Sequence, residues 1–262
     1  PARGRSNLTV HTRAHAARVL MNGTRATGVE YFHRGRTVQA SADQEVILSG
    51  GVFNTPQLLM LSGIGPAAHL KEFGIDCIAD LPVGKNLQDH LVVSNFWTRP
   101  TNTSQFREEL RFDKIAISMI RAYFFGTGPG TVVPGGMHAF LKSTPDIDVA
   151  DLEFLFRGAP LDANPWFPGI KKKYDDGYAI RAGIVHPKSR GEARLRSTNP
   201  RDPLVLDFQF LSNEDDLVLL RNALKTVRDC AHQDALAPFR GVELTPGPDI
   251  KSDVDLDEFI RN

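Results

Sequence analysis

Only two of the 262 residues are cysteine, Cys77 and Cys230. So few, so far apart, exclude a disulfide-stapled fold and point to free thiols, buried by default, in a reducing compartment such as the cytoplasm. No apolar run approaches the ~18 residues that cross a bilayer, and the basic, polar start lacks the apolar core of a secretory signal, so no transmembrane segment is expected. Charge of one sign is missing too. Thirty-one basic residues balance thirty-one acidic ones, which removes the field that gathers nucleic acid or anionic lipid. The Lys171–Lys173 run, followed by Tyr174, Asp175 and Asp176, reads as a solvated loop.

Several catalytic signatures are absent as well. There is no Gly-x-Ser-x-Gly elbow of a serine hydrolase, no His-Glu-x-x-His or Cys-x-x-Cys for a metal, and no complete Gly-x-Gly-x-x-Gly. GTGPG at 126–130 lacks the Lys-Ser/Thr that completes a phosphate loop. His11 and His15 fall four apart on an expected strand, too far from each other for one ion, and His186 with Ser189 falls in an expected hairpin turn. No metal site is expected.

What is present is well punctuated. NLTVHTRAHAARVLM at 7–21 and TRATGVEYF at 24–32 flank Asn22-Gly23, the strongest short hairpin signal, and TVQAS follows. QEVILSG at 44–50 reads as a strand buried on both faces. Thr55-Pro56 predicts a helix from Pro56 to about Leu61, with Thr55 as its cap and Gly63 as its stop. Pro66 opens a second helix that Gly74 closes, and residues 75–81 return extended. Turn-rich stretches at both ends of a helical segment near 107–125 mark a domain boundary. Short strands then alternate with Gly, Pro and Asp clusters, with Lys188–Gly191 as a hairpin turn, and this predicts an antiparallel sheet. From Ser212 as cap, Leu217, Leu220, Leu224, Val227 and Ala231 recur at helical spacing, so a long amphipathic helix should lie across that sheet. SGG at 49–51 follows the expected buried strand and precedes a helix, so its two glycines either let the backbone approach a nucleotide's ribose or phosphate closely or only let the strand end pack near a neighbouring element.

The stretch SGGVFNTPQLLMLSGIG, 49–65, resembles the second signature of the glucose-methanol-choline (GMC) family of FAD-dependent oxidoreductases, with Val52 where the family usually has a small residue. The segments RGRSNLTVHTRAHAARVLMNGTRATGVEY before it and GPAAHLKEFGIDCIADLPVGKNLQDH after it are similar to the family's flanking segments. HPKSRGEARLRSTNPRDPLVLDFQFL resembles the C-terminal part of choline-dehydrogenase-like members, so the likeness runs the whole length.

The resemblance implies an α/β and α+β fold: part of a FAD-binding domain in residues 1–92, and a substrate domain in 93–211 whose antiparallel sheet is covered by helices. Residues 212–262 would form the amphipathic helix and start the return to the FAD domain. It implies an alcohol oxidised to an aldehyde, with electrons passed to oxygen or another acceptor. A flavin-containing lyase of the same fold, or a non-catalytic binding module as the isolated chain, are the alternatives. Ala16 is implied as a backbone contact to adenine, Ser49, Gly50 and Gly51 as neighbours of the adenosine, and Asn86, Asp89 and His90 as either flavin contacts or holders of the domain junction. Choline-specific members tend to carry a glutamate at the place of Gly136, in the strand matching Gly135–Phe140. A neutral primary or aromatic alcohol is therefore favoured over choline, with Gly136, His138 and Phe140, on one strand face, as either the lining of the substrate pocket or a packed sheet face. The family's N-terminal glycine fingerprint would precede Pro1 and its catalytic His-Pro-x-Gly motif would follow Asn262, so none of the eight histidines is a catalytic base.

Overall fold

The computed structural model describes residues 4–100, 104–131, 136–160 and 162–262. In chain order these form β1 (Ala14–Asn22), β2 (Arg25–His33), β3 (Arg36–Ser41), α1 (Gly51–Leu61), α2 (Ala67–Glu72), β4 (Lys85–Leu87), β5 (Val92–Thr98), α3 (Gln105–Glu109) and α4 (Phe112–Phe125). Then come β6 (Met137–Leu141), β7 (Leu152–Arg157), β8 (Gly177–Ile184), β9 (Gly191–Arg194), β10 (Val205–Asp207), α5 (Glu214–Ala231), β11 (Glu243–Thr245) and α6 (Asp253–Arg261). The chain divides into two units, Pro1–Gln88 with Arg190–Gln209, and Asp89–Ser189 with Phe210–Asn262. These divisions differ from the boundaries at 92 and 211 read from the sequence. Parts of the turn-rich stretches around 107–125, residues 101–103 and 132–135 with Gly135 among them, lie outside the described residues.

In the first unit β1, β2 and β3 form an antiparallel meander in which Asn22 pairs with Arg25 across a two-residue turn, with Gly23 at φ 57°. A second small sheet, β10-β9-β4, explains why 190–209 belongs here: Lys85 pairs with Glu192 and Asp207 with Glu192 from the other side. Met60 and Leu70, from the two helices, bury against Ala193, Leu195 and Leu204. His69 seals this core, its Nε2 accepting the Leu195 N–H at 3.0 Å while its Nδ1 lies 3.3 Å from Glu72. Ser62 joins helix to sheet, accepting from the Val19 N–H at 2.8 Å and donating to the Leu58 carbonyl at 2.5 Å.

The second unit is a five-stranded antiparallel sheet, β11-β5-β8-β7-β6. Alternation decides its faces: Val93, Trp97, Leu152 and Phe154 point to the side where Leu220, Ala223, Leu224 and Val227 of α5 pack. Full burial of each such leucine contributes about 1.5–3 kcal/mol. Arg228 of the same helix donates to Glu243 at 3.0 Å, and Glu243 also accepts from Asn95, which is fully buried. Burial also pushes the Tyr174 hydroxyl up to about 12, the nearby Asp176 carboxylate adding to the effect.

Five expectations change. Residues 44–50 form no strand, and Ile47 is 75% exposed, because no strand among the described residues reaches either edge of this run. Helix α1 begins at Gly51, not Pro56, which sits inside it; Thr55 acts from within the helix, its Oγ1 accepting the Gly50 N–H at 3.0 Å. The cap of α5 is Asn213 rather than Ser212, its side chain accepting the Asp215 N–H at 2.9 Å. Cys77 is exposed. Residues 188–191 make no hairpin, since β8 and β9 belong to different sheets.

That last turn is held by a carboxylate. Asp216, 1% exposed in the first turn of α5, accepts the N–H groups of Lys188 and Ser189, each at 2.8 Å, and Ser189 Oγ accepts the Asn213 N–H at 3.1 Å. Ser189 is thus a structural side chain. Asp216→Ala strands two backbone donors and should cost about 2 kcal/mol. Asp216→Asn, which keeps one acceptor, should cost less. Chemical denaturation measures both, and an Asp216→Ala midpoint equal to wild type would refute this role.

Candidate functional site

The 49–51 turn is built by residues that follow it. Gly51 opens α1 at φ 80°, a left-handed conformation that strains any residue with a Cβ, and a Cβ built there would meet nothing within 4 Å. Asn54 Nδ2 donates to the Gly50 carbonyl at 3.1 Å, and Thr55 Oγ1 accepts the Gly50 N–H at 3.0 Å. Both polar groups of Gly50 are therefore satisfied from inside the helix. The turn is fixed while remaining open to solvent. No acidic residue stands in the first turn of α1 and no side chain caps it, so its free N–H groups and its dipole favour a negatively charged group there.

Hollows adjoin this turn on two sides. A small one of about 240 Å³ is lined by Ala14, His15, Ala16, Gly50, Asn54 and Gln57 among others, which brings Ala16 and Gly50 together. Its rim is anchored by two carbonyls of one loop: His15 Nε2 lies 2.9 Å from that of Pro200, and Gln57 Nε2 donates to that of Asp202 at 2.7 Å. A larger hollow of about 720 Å³ gathers Ser49, Gly51 and Asn86 with Thr55, Gly84, Lys85 and Ala193. Asn86 takes φ 66°, a region where Asn is enriched among non-glycine residues, and its side chain is exposed. Lys85 is ion-paired to Glu192 across the β4–β9 ladder.

Asp89 and His90 fall in the second unit, where Asp89 Oδ1 accepts the His90 N–H at 2.8 Å. The two hollows beside the turn offer backbone groups, amides and apolar walls together with His15 and Lys85, whose polar ends are paired with the Pro200 carbonyl and Glu192. Among the described residues, no group of His, Cys, Asp and Glu is placed to hold a metal ion. Nor is any helix there long and apolar enough to cross a membrane.

In the second unit, one face of the sheet is free of α5. His138 and Phe140 share it, since Ala139 and Leu141 between and beyond them pack toward the core. Gly136 stands one residue before β6 at φ 80°, where a Cβ would lie 1.5 Å from the Phe156 carbonyl oxygen. It therefore supplies backbone only and extends no strand face. The same face carries a residue that sequence reading passed over: Glu153, whose Oε1 lies 2.6 Å from His138 Nδ1. Its signal was legible, because Glu153 is the lone charge inside the apolar stretch LEFLF, and Arg181 is likewise alone in YAIRAGI. Val92, His138, Glu153, Leu155, Arg181 and Gly183 line a hollow of about 110 Å³.

Residues 1–92 and 187–262 match the two family models described as GMC oxidoreductase. The mitochondrial choline dehydrogenase of Homo sapiens is 40% identical over 264 residues, covering 100% of this chain and 43% of that protein. The crystal structure of pyridoxine 4-oxidase from Mesorbium loti is 28% identical with a TM-score of 0.78, over 98% of this chain and 46% of that one. A formate oxidase of Aspergillus oryzae RIB40, studied for FAD modification, is 24% identical with a TM-score of 0.85 over 98% of this chain and 50% of that one, a likeness of fold. This chain thus spans half or less of the length of these proteins.

Proposed function

This chain belongs to the GMC oxidoreductase family, and on that premise we propose that its parent protein binds FAD and oxidises an alcohol to the aldehyde. The single observation that carries the reading is the fixed turn at 49–51, with no side chain at Gly50 or Gly51, flanked by one hollow with Ala16 and another with Asn86. Its exposed glycines, the open space beside Gly51 and the uncapped start of α1 suit close approach of a nucleotide. Ser49, Gly50, Gly51 and Ala16 would hold the adenosine side of FAD, and Asn86 would border it. Asp89 and His90 keep their earlier pair of readings, flavin contact or junction.

When bound, FAD supplies the hydride acceptor. The chain's own residues bind and orient. Several of the histidines have a partner consistent with a structural role, such as His15 with the Pro200 carbonyl, His69 with the Leu195 N–H and His232 with the Arg228 carbonyl at 2.7 Å. None of the eight is assigned as the proton acceptor, in keeping with the family motif that this sequence does not contain. The open face with His138 and Phe140 is assigned to the alcohol, Gly136 contributing backbone at its edge.

The test uses the full-length protein. It should purify with bound flavin, and an alcohol panel under anaerobic conditions should bleach the visible flavin band. Flavin that no alcohol bleaches, together with cleavage of a cyanohydrin, would replace this reading with a lyase. A colourless protein that takes up no FAD would leave a binding module.

A further inference from the structure

Strand register sets a pattern of side chains on the open face. His138 of β6 pairs with Leu155 of β7, which pairs with Arg181 of β8; one row along, Phe140 pairs with Glu153, which pairs with Gly183. Glu153 and Arg181 are therefore diagonal neighbours, their Cα atoms roughly 7–8 Å apart by ordinary sheet geometry. Gly183 between them keeps the floor open. Its Cβ would come within 2.9 Å of Val92 Cγ1, so any side chain there would take up the space.

The two charges are not spent on each other. Among the described residues the Arg181 side chain makes no hydrogen bond or ion pair, and the Glu153 side chain pairs only with His138, through one of its two oxygens. His138 thus orients the carboxylate and leaves its second oxygen for a donor. Across the apolar walls of Val92 and Leu155, Arg181 stands ready for an acceptor. A hydroxyl is both at once: its proton can go to Glu153 and its oxygen can accept from Arg181. A trimethylammonium group can do neither, since it has no N–H and no acceptor; the pull of Glu153 on it is opposed by the repulsion of Arg181 in the same hollow, and it forfeits the hydration of its charge.

We propose that Glu153 and Arg181 form a two-point clamp for a second hydroxyl on an uncharged alcohol substrate, with His138 as the positioning residue for Glu153. This rests on the reading of the parent protein as an alcohol oxidoreductase whose substrate meets the open face. It adds the substrate class, a neutral diol or dimethanol rather than a quaternary ammonium alcohol.

The experiment is steady-state and anaerobic flavin reduction by the full-length, FAD-loaded enzyme with two matched pairs. These are para-benzenedimethanol against para-methylbenzyl alcohol, and dimethylbutanol against choline, its cationic isostere. The dimethanol should be preferred by about tenfold or more in kcat/KM, and choline should fall below dimethylbutanol. Glu153→Gln and Arg181→Gln, both on an exposed face, should each shrink the first preference to less than about threefold, the loss falling on KM more than on kcat. Arg181→Gln should also narrow the choline deficit, which a merely structural role would not do. Equal rates within both pairs, or preferences unchanged in both variants, overturn the clamp while leaving alcohol oxidation in place. No flavin reduction by any of the four alcohols, or by a broader panel, overturns alcohol oxidation and the clamp with it.

Discussion

Gly84→Ala is expected to destabilise the first unit by about 3 kcal/mol or more, and to weaken flavin binding in the full-length protein. Two costs add. Gly84 takes φ 82°, where a Cβ carries strain of about 1 kcal/mol or more. The Cβ would also lie 2.1 Å from the Ala193 carbonyl oxygen, a backbone atom that cannot swing aside. The overlap cannot be relieved cheaply, because the Gly84 carbonyl accepts the Ala193 N–H at 2.7 Å and moving the strands apart breaks that bond. Overpacking of this kind costs about 1–3 kcal/mol. Gly84 and Ala193 both line the larger hollow beside Ser49 and Gly51, so the shift should register as weaker flavin retention as well as a lower melting temperature. A variant that melts with wild type would show that the backbones do not approach as closely as described.

The second large effect concerns an attractive but mistaken graft. Gly136→Glu would install the carboxylate that the family resemblance implies for choline-specific members, yet it should yield an unstable protein rather than a choline enzyme. The obstacle is at the Cβ, 1.5 Å from the Phe156 carbonyl oxygen with φ at 80°, and not at the carboxylate. Gly136→Ala should therefore lose nearly as much as Gly136→Glu, about 3 kcal/mol or more in each case. His138→Ala, on the exposed face two residues away, should lose far less. Thermal melts of the three variants decide it. Gly136→Glu folding as well as wild type and turning over choline would sink both this expectation and the argument that position 136 presents backbone alone.

Local chemistry made much of this fold legible. Asn22-Gly23 announced the first hairpin, Gly63 and Gly74 announced helix ends with φ 85° and 68°, and the expected Leu217, Leu220 and Leu224 of α5 proved buried. The signals that failed were those whose meaning depends on distant partners. An apolar run such as 44–50 reads the same whether or not neighbouring strands flank it. Pro56 is a good first-turn residue, yet the helix extends before it because Gly51 can adopt the left-handed conformation that starts the helix earlier. For the candidate site, the glycines at 49–51 and Ala16 were readable through family resemblance, and their meeting around one turn needed coordinates. Glu153 was passed over because its role depends on cross-strand register, which a single strand's sequence does not encode.

The pairing of β4 with β9 also bears on how the chain is made. About a hundred residues separate Leu87 from Gly191, and everything from β5 to β8 lies between them. At a synthesis rate of roughly 5–20 residues per second, the ribosome needs about 5–20 s to deliver the partner strand. Through that interval Met60 and Leu70 have no Ala193 or Leu195 to pack against, and the glycine turn at 49–51 is tethered to an unfinished scaffold. The nascent chain therefore passes through a period of several seconds in which the core beneath this segment is incomplete and its apolar side chains lack their cover.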